Sequence, residues 1–193
     1  MRNLAYVMLL LAIGLYACKP APDKSTANTD EKTFFPVNAY IAEQLHLIDS
    51  LQLPVARYYT GEGHEDTTAL SLAECRNLAA PFLETDISDP KWKDKYIENS
   101  FADQSIPSVS FNYQTIDSSL PVKRVDIVLK PDPVKTDKVK SVYIEKLFKR
   151  GDTLVNEKLF WKADHYYQVI STRQTANGQP VITKLKVAWD PSE

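Results

Sequence analysis

Residues 142–161 read VYIEKLFKRGDTLVNEKLFW, and this stretch predicts a β-hairpin. Gly151 occupies the first of two central turn positions, as a type II′ turn prefers. Closing the loop at Gly151-Asp152 produces three apolar cross-strand pairs: Phe148 with Val155, Ile144 with Leu159, and Val142 with Trp161. It also produces two pairs of opposite charge: Lys146 with Glu157, and Glu145 with Lys158 on the other face. Because one turn aligns all five pairs, the sequence predicts an antiparallel sheet here.

Two more hairpins are predicted, one on each side of this stretch. Upstream, two segments alternate apolar and polar residues around a loop at 117–121, which pairs Val109 with Leu129, Phe111 with Ile127, and Tyr113 with Val125. Downstream, an Asn177-Gly178 turn would set Ile170 against Leu185, Gln168 against Val187, and Tyr166 against Trp189. A tight Ala163-Asp164 turn would then place Trp161 beside Tyr166. The expected result is an aromatic row of Trp161, Tyr166 and Trp189 across neighbouring strands.

The N-terminal half has the spacing of helices. Apolar residues recur every three or four positions between Pro36 and Gln52, which predicts an amphipathic helix that ends before Pro54. Ser71 and Glu74 have the spacing of a capping box, so a second helix is predicted from Ser71 to about Pro81. A third, shorter helix is predicted from Pro90, and it would bury Trp92, Tyr96 and Phe101. The predicted fold class is therefore α+β, with N-terminal helices over about 36–104 packed on one face of a roughly six-stranded antiparallel meander over about 108–189.

The first 17 residues have the pattern of a signal peptide. Arg2 gives the start a positive charge, and residues 4–15 are almost wholly apolar. A run of this length fits a signal-peptide core and is shorter than the ~20 residues that a membrane-spanning helix needs. An uncleaved anchor or a buried first helix is the alternative. Both are disfavoured, because the run is too short to span a membrane and a polar segment without helix periodicity follows at once.

Leu15-Tyr16-Ala17-Cys18 resembles the lipobox of bacterial lipoproteins. The lipobox has a branched apolar residue three positions before a cysteine and a small residue directly before it; Tyr16 departs from the usual small or β-branched residue. The resemblance implies cleavage before Cys18, diacylation of its sulfur and acylation of its new amine. Lys19 follows where inner-membrane retention would call for aspartate, so the resemblance favours the outer membrane and leaves the face undetermined.

Residues 18–33 are expected to form the lipidated cysteine and a disordered tether, and residues 34–193 a single domain. The tether segment is polar and has almost nothing to bury, and a random coil of this length reaches on the order of 20 Å. With lipid on Cys18, Cys75 has no disulfide partner, so the domain depends on its core for stability.

Composition excludes some classes of function. The chain of 193 residues has 23 basic and 25 acidic side chains with no block of one sign. A nucleic-acid-binding protein would need a basic stripe, so no nucleic-acid partner is expected. With only 5 glycines, no GxGxxG or P-loop pattern occurs, and no cofactor is expected.

No catalytic or metal constellation stands out. The histidines are His46, His64 and His165, and none accompanies a Gly-x-Ser-x-Gly elbow. Cys75 lies on the apolar side of the second predicted helix, which favours a buried structural thiol over a nucleophile. The acidic stretch 62–66 fits no calcium loop and has a single histidine, so a solvated loop is expected there and a metal site is the alternative.

The aromatic row has two interpretations. It is either core beneath the helices or the lining of a cavity for an apolar ligand. Tyr58 and Tyr59, in a predicted loop, could instead mark a surface for an envelope protein partner.

Three hypotheses for function follow. The first is a non-enzymatic binding or scaffolding lipoprotein of the cell envelope, with a membrane partner through Cys18. The second is a carrier of a hydrophobic small molecule or lipid, and the third is an envelope hydrolase, which would need His46, His64 and Glu65 to converge. The sequence does not fix the oligomeric state.

Overall fold

Nine strands form one antiparallel sheet in the part of the chain that the structure, a computed structural model, describes: residues 33–103, 105, 108–131, 138–176 and 178–190. The elements are α1 (Val37–Ser50), β1 (Val55–Gly61), β2 (His64–Leu70), α2 (Leu72–Leu78), 3-10 segments at Ala80–Phe82 and Pro90–Lys95, β3 (Tyr96–Asp103), β4 (Ser108–Thr115), β5 (Val122–Lys130), β6 (Lys138–Arg150), β7 (Thr153–Lys162), β8 (Tyr166–Thr175) and β9 (Val181–Ala188). Across the sheet the strand order is β2-β1-β9-β8-β7-β6-β5-β4-β3. Residues 1–32, which contain the predicted signal peptide, Cys18 and nearly all of the predicted tether, lie outside this description.

The predicted fold class is wrong. β1, β2 and β3 lie inside the range 36–104 that was expected to be helical, and they bring the sheet to nine strands instead of six. The sheet is also not a meander throughout, because β1 pairs with β9 at the far end of the chain. Described helical structure is limited to α1, α2 and the two 3-10 segments.

The β1–β2 hairpin escaped prediction because its buried side is partly charged. Glu62 and Gly63 form its turn with φ of +53° and +75°, as a type I′ turn requires. Arg57 faces the same side as buried Val55 and forms an ion pair with Asp66 of β2. A charged pair at positions that would normally be apolar hides the period of two on which strand prediction depends.

The third predicted helix is also wrong. Pro90 begins a 3-10 segment, and the chain becomes β3 at Tyr96. Tyr96 and Phe101 are five residues apart, so they lie on opposite faces of a strand. Tyr96 is 4% exposed, whereas Phe101 is 68% exposed.

The central hairpins confirm the predicted registers. β6 and β7 pair Phe148 with Val155, Lys146 with Glu157, and Val142 with Trp161. Gly151 has φ of +61°, in agreement with the predicted type II′ turn. β4 and β5 likewise pair Phe111 with Ile127 and Tyr113 with Val125.

The two following registers are each one residue away from the prediction. Between β7 and β8 the loop has three residues, with Asp164 at φ +67°, so Trp161 pairs with Tyr167 instead of Tyr166. Between β8 and β9, Tyr167 pairs with Val187 and Tyr166 with Ala188. The predicted two-residue turn would have put Pro180 inside the ladder, where proline has no N–H to donate. Asn177 of that turn lies outside the described residues.

One face of the sheet, called the inner face here, carries the buried side chains of the strands, among them Val142, Trp161, Tyr167 and Val187. The first predicted helix is present as α1, and its buried residues join the same core: Val37, Ile41, Leu45 and Ile48. α2 begins with the predicted capping box between Ser71 and Glu74 and contributes buried Cys75. No helix in the described ranges is long and apolar enough to cross a membrane.

Candidate functional site

The predicted aromatic row contains Tyr167 where the sequence placed Tyr166. Trp161 stacks on Tyr167 with ring centroids 5.1 Å apart, and Trp189 lies 5.5 Å from Trp161. Phe82 packs edge-on against both Trp161 and Tyr167 at 5.4 and 5.6 Å. Trp161 and Tyr167 are both 0% exposed, so these rings pack against one another as part of the hydrophobic core.

Tyr167 also links the sheet to α2. Its hydroxyl donates a 2.6 Å hydrogen bond to the carbonyl oxygen of Cys75, and burial raises its pKa. Burial likewise raises the pKa of the Cys75 thiol, which keeps that sulfur protonated and unreactive. This arrangement agrees with a structural role for Cys75.

Among the described residues, one cation is buried on the inner face. Lys146 is 2% exposed, and its ammonium donates to the carbonyl oxygen of Pro81 and, at 2.7 Å, to a carboxylate oxygen of Glu84. Opposite it on β7, Glu157 faces the same side of the sheet. Burial raises the pKa of Glu157, partly offset by the positive charge of Lys146. These three charges lie beside the apolar core and connect the sheet to the segment after α2.

The histidines do not form a site. His46 hydrogen-bonds to Ser50 on the exposed side of α1, whereas His64 and Glu65 begin β2 and are exposed. His165 is half-buried in the β7–β8 loop, 3.2 Å from a carboxylate oxygen of Asp190. Within the described ranges no group of three metal-ligating side chains occurs, and no hydrogen bond or ion pair joins His46 to His64 or Glu65.

The opposite face of the sheet, called the outer face here, carries a surface cleft. A depression of about 240 Å³ lies over β1 and β9 and is lined by Tyr58, Thr60, Lys184 and Lys186. The register places Tyr58 beside Lys186 and Thr60 beside Lys184. We call these four residues the lysine–tyrosine cleft.

The aromatic neighbours of this cleft hold one of its lysines in place. The Lys186 ammonium lies 4.2 Å from the ring centroid of Tyr166, a cation–π contact, and Tyr166 packs against Phe160 at 6.0 Å. Tyr166 therefore belongs to the outer face and supports the cleft. In the described part of the chain neither Lys184 nor Lys186 forms an ion pair, so two positive charges face one opening.

Two further depressions differ from the cleft in chemistry. One adjoins the lysine–tyrosine cleft along β1 and β2 and includes Glu65, Asp66 and Thr67. The other lies at the end of α1, where it is lined mainly by apolar side chains, including Leu47, Leu51 and Trp189.

The sequence pointed to Tyr58 as a surface residue but missed the other cleft residues. Lys184 and Lys186 are two apart on a strand, so they share a face, and the same holds for Tyr58 and Thr60. The pairing of β1 with β9 brings the two sets together across more than 120 positions in the chain. No local signal in the sequence records that pairing.

Comparisons with known proteins do not assign this chain to a family. No protein-family model and no curated protein matches the chain. Among solved structures, the S-type phycobiliprotein lyase CPES from Guillardia theta is similar with a TM-score of 0.23 and 10% sequence identity, over 72% of this chain and 87% of the lyase chain. A likeness at this level carries no argument about function.

Proposed function

We propose that this protein is a non-enzymatic binding module of the bacterial cell envelope, held at a membrane by lipid on Cys18, and that the lysine–tyrosine cleft takes an anionic group. The anchor rests on the resemblance of residues 15–18 to a lipobox. The binding role rests on the cleft, since no described hydrogen bond or ion pair joins His46 to His64 or Glu65, the residues that a hydrolase would need together.

The observation that carries the binding role is the positive charge of Lys184 and Lys186 at one opening, with no ion-pair partner among the residues that the structure describes. Two ammonium groups on neighbouring same-face positions attract a single anion more strongly than either does alone. The hydroxyl groups of Tyr58 and Thr60 add hydrogen-bond donors at the same rim. A phosphate group suits this donor set, whether a lipid headgroup or a soluble ester carries it.

The anchor is tested on Cys18. In bacteria that express the full chain, we expect the wild-type protein in the membrane fraction and the Cys18→Ser variant in the periplasmic fraction. Mass spectrometry of the wild-type protein should show a mature N-terminus at residue 18 with fatty acid attached. A wild-type protein that starts elsewhere or lacks fatty acid would remove this half of the proposal.

The cleft is tested by titration of the full chain carrying Cys18→Ser, so that the protein's own lipid does not mask binding. We expect inorganic phosphate to shift the NMR signals of Tyr58 and Lys186, with an affinity that weakens at high salt. The double variant Lys184→Gln/Lys186→Gln should weaken binding at least tenfold.

Lys149→Gln is the matched control, because Lys149 is an exposed lysine on the outer face of β6, away from the cleft. Vesicles of phosphatidylcholine with and without phosphatidic acid distinguish a headgroup from a soluble ester as the source of phosphate. Equal binding by the wild type and the double variant would overturn the binding role and leave the anchor intact.

A further inference from the structure

The two edges of the sheet differ in how well they are protected. Among the described residues, β2 and β3 each pair with a single strand. β2 has the sequence HEDTTAL, whose charges and short polar side chains discourage pairing with another chain. β3, YIENSFAD, pairs regularly with β4 over its full length and contains no proline or lysine. Of the usual devices that block an edge, the strand has only charge: Glu98 on the inner face, opposite buried Tyr113, and Asp103 at its end.

The phase of the β3–β4 ladder shows which backbone groups of β3 point outward. The N–H of Ile116 donates to the carbonyl oxygen of Lys95 at 3.0 Å. This bond makes Lys95 and Ile116 a hydrogen-bonded pair of the antiparallel ladder. Because hydrogen-bonded and non-hydrogen-bonded pairs alternate, Tyr96–Thr115 is a non-hydrogen-bonded pair and Ile97–Gln114 is again hydrogen-bonded. By alternation, the backbone N–H and C=O groups of the even-numbered residues, 96 to 102, point away from β4 to the free edge.

Exposed apolar side chains lie along the same strand. Ile97 is 51% exposed and Phe101 is 68% exposed, both on the outer face with Asn99 between them. Ile116, 63% exposed, continues this surface at the end of β4. Large apolar side chains on an unpaired edge are the usual mark of an interaction surface.

We propose that β3 pairs antiparallel with β3 of a second copy of this chain, related by a two-fold axis at Asn99. Outward-pointing groups must meet one another, so even-numbered residues must pair with even-numbered residues. The register that pairs Glu98 with Ser100 of the second copy satisfies this requirement. It also sets each Ile97 against Phe101 of the second copy.

The charges at the ends of the strand favour the same register. If the same register continues one pair beyond Tyr96 and Ala102, Lys95 lies opposite Asp103 of the second copy at each end. Lys95 contacts Asp117 at 3.2 Å with its side chain 47% exposed, and Asp103 accepts hydrogen bonds from Ser105. An ammonium has three donors and a carboxylate two acceptor oxygens, so each type of group can serve more than one partner. Shifting the register by two residues in either direction would set Ile97 or Phe101 against Asn99 and lose both apolar pairs. A closed two-fold contact of this kind is self-complementary, as homodimers require.

The first test is the mass of the full chain carrying Cys18→Ser, measured by sedimentation velocity over a range of concentrations. We expect a reversible dimer. Phe101→Lys should weaken dimerisation at least tenfold. Ser100→Pro should do the same while sparing the β3–β4 ladder, because the Ser100 N–H points to the free edge. Ile182→Lys is the matched control, since Ile182 is 59% exposed on the outer face of β9, an interior strand.

The second test fixes the register with cysteines. Asn99→Cys faces itself across the two-fold axis in a non-hydrogen-bonded pair, where the Cα separation of about 4.5 Å suits a disulfide. We expect this variant to cross-link under mild oxidation, and Phe101→Cys not to. A wild type that stays monomeric, or a dimer that Ile182→Lys weakens as much as Phe101→Lys does, would overturn the proposal. Cross-linking of Phe101→Cys in place of Asn99→Cys would overturn the register.

Discussion

Replacing Trp161 with alanine is expected to lower the free energy of unfolding by about 4 kcal/mol, as large-to-small substitution of a buried tryptophan commonly does. Trp161 is fully buried and contacts Phe82, Tyr167 and Trp189, so its loss would open a cavity at the centre of the core. A domain with a stability of roughly 5–15 kcal/mol would remain folded but clearly weakened. Urea denaturation followed by circular dichroism measures the change.

Two further variants test whether the loss of stability comes from the position of Trp161 in the core. Trp92→Ala is the matched control, because Trp92 lies half-buried on the second 3-10 segment and should cost less than half as much. Trp161→Phe should also cost less, since it keeps an aromatic ring and removes an indole N–H that has no hydrogen-bond partner among the described residues. If Trp161→Ala and Trp92→Ala had equal effects, the aromatic cluster would not be the centre of the core.

Replacing Lys146 with methionine is expected to cost about 2–3 kcal/mol near pH 7, because it removes a buried ammonium that donates to the carbonyl oxygen of Pro81 and to the exposed carboxylate of Glu84. Methionine keeps the apolar stem and fills most of the space, so the loss reports on the ammonium. Without it, the carbonyl oxygen of Pro81 loses its donor and Glu157 loses the charge that offsets its burial. Lys149→Met, at an exposed position of the same strand, should change stability by less than about 0.5 kcal/mol.

The pH dependence of this deficit identifies its cause. Burial raises the pKa of Glu157 in the folded state, and loss of Lys146 should raise that pKa further. A carboxyl group with a raised folded-state pKa destabilises the fold as pH rises above its unfolded-state pKa, and it imposes no such cost when both states are protonated. The deficit of Lys146→Met should therefore shrink as pH falls below 4.5, the ordinary pKa of a glutamate side chain. If the variant were as stable as the wild type at pH 7, the free energy lost by desolvating the Lys146 ammonium would equal the free energy gained from its contacts, and the prediction would be wrong.

The central part of the fold was predictable because its information is local. Gly151 fixes a turn, the turn fixes a register, and the register is checked by five side-chain pairs within 20 residues. The capping box at Ser71 is likewise a signal within four residues. Such features can be predicted without knowledge of the rest of the chain.

The remaining elements depend on distant partners. β1 and β2 place Arg57 and Asp66 on the inner face, where an ion pair replaces the apolar alternation that would have revealed them. The register between β7 and β8 depends on whether their loop has two or three residues, and Asp164 in the left-handed region of φ decides it. The register between β8 and β9 depends on a longer connection, from Thr175 to Val181. Each one-residue error moved Tyr166 to the wrong face of the sheet.

The candidate site was hidden for the same reason. Tyr58 could be noticed as an aromatic residue without periodicity, but Lys184 and Lys186 look like ordinary exposed positions of a strand. They become a binding candidate only when β9 is placed next to β1.

That adjacency of β1 and β9 also sets the order in which the molecule can assemble. The first hairpin leaves the ribosome early, yet the strand on which it docks is the last of the nine to be synthesised. Until residue 188 has emerged, the β1–β2 hairpin has nothing to add to, and a two-stranded hairpin alone is marginally stable in water. Contacts between such distant parts of a chain form slowly and leave partly built sheets exposed. Nascent chains of this protein would thus depend on protection from aggregation until translation is nearly complete.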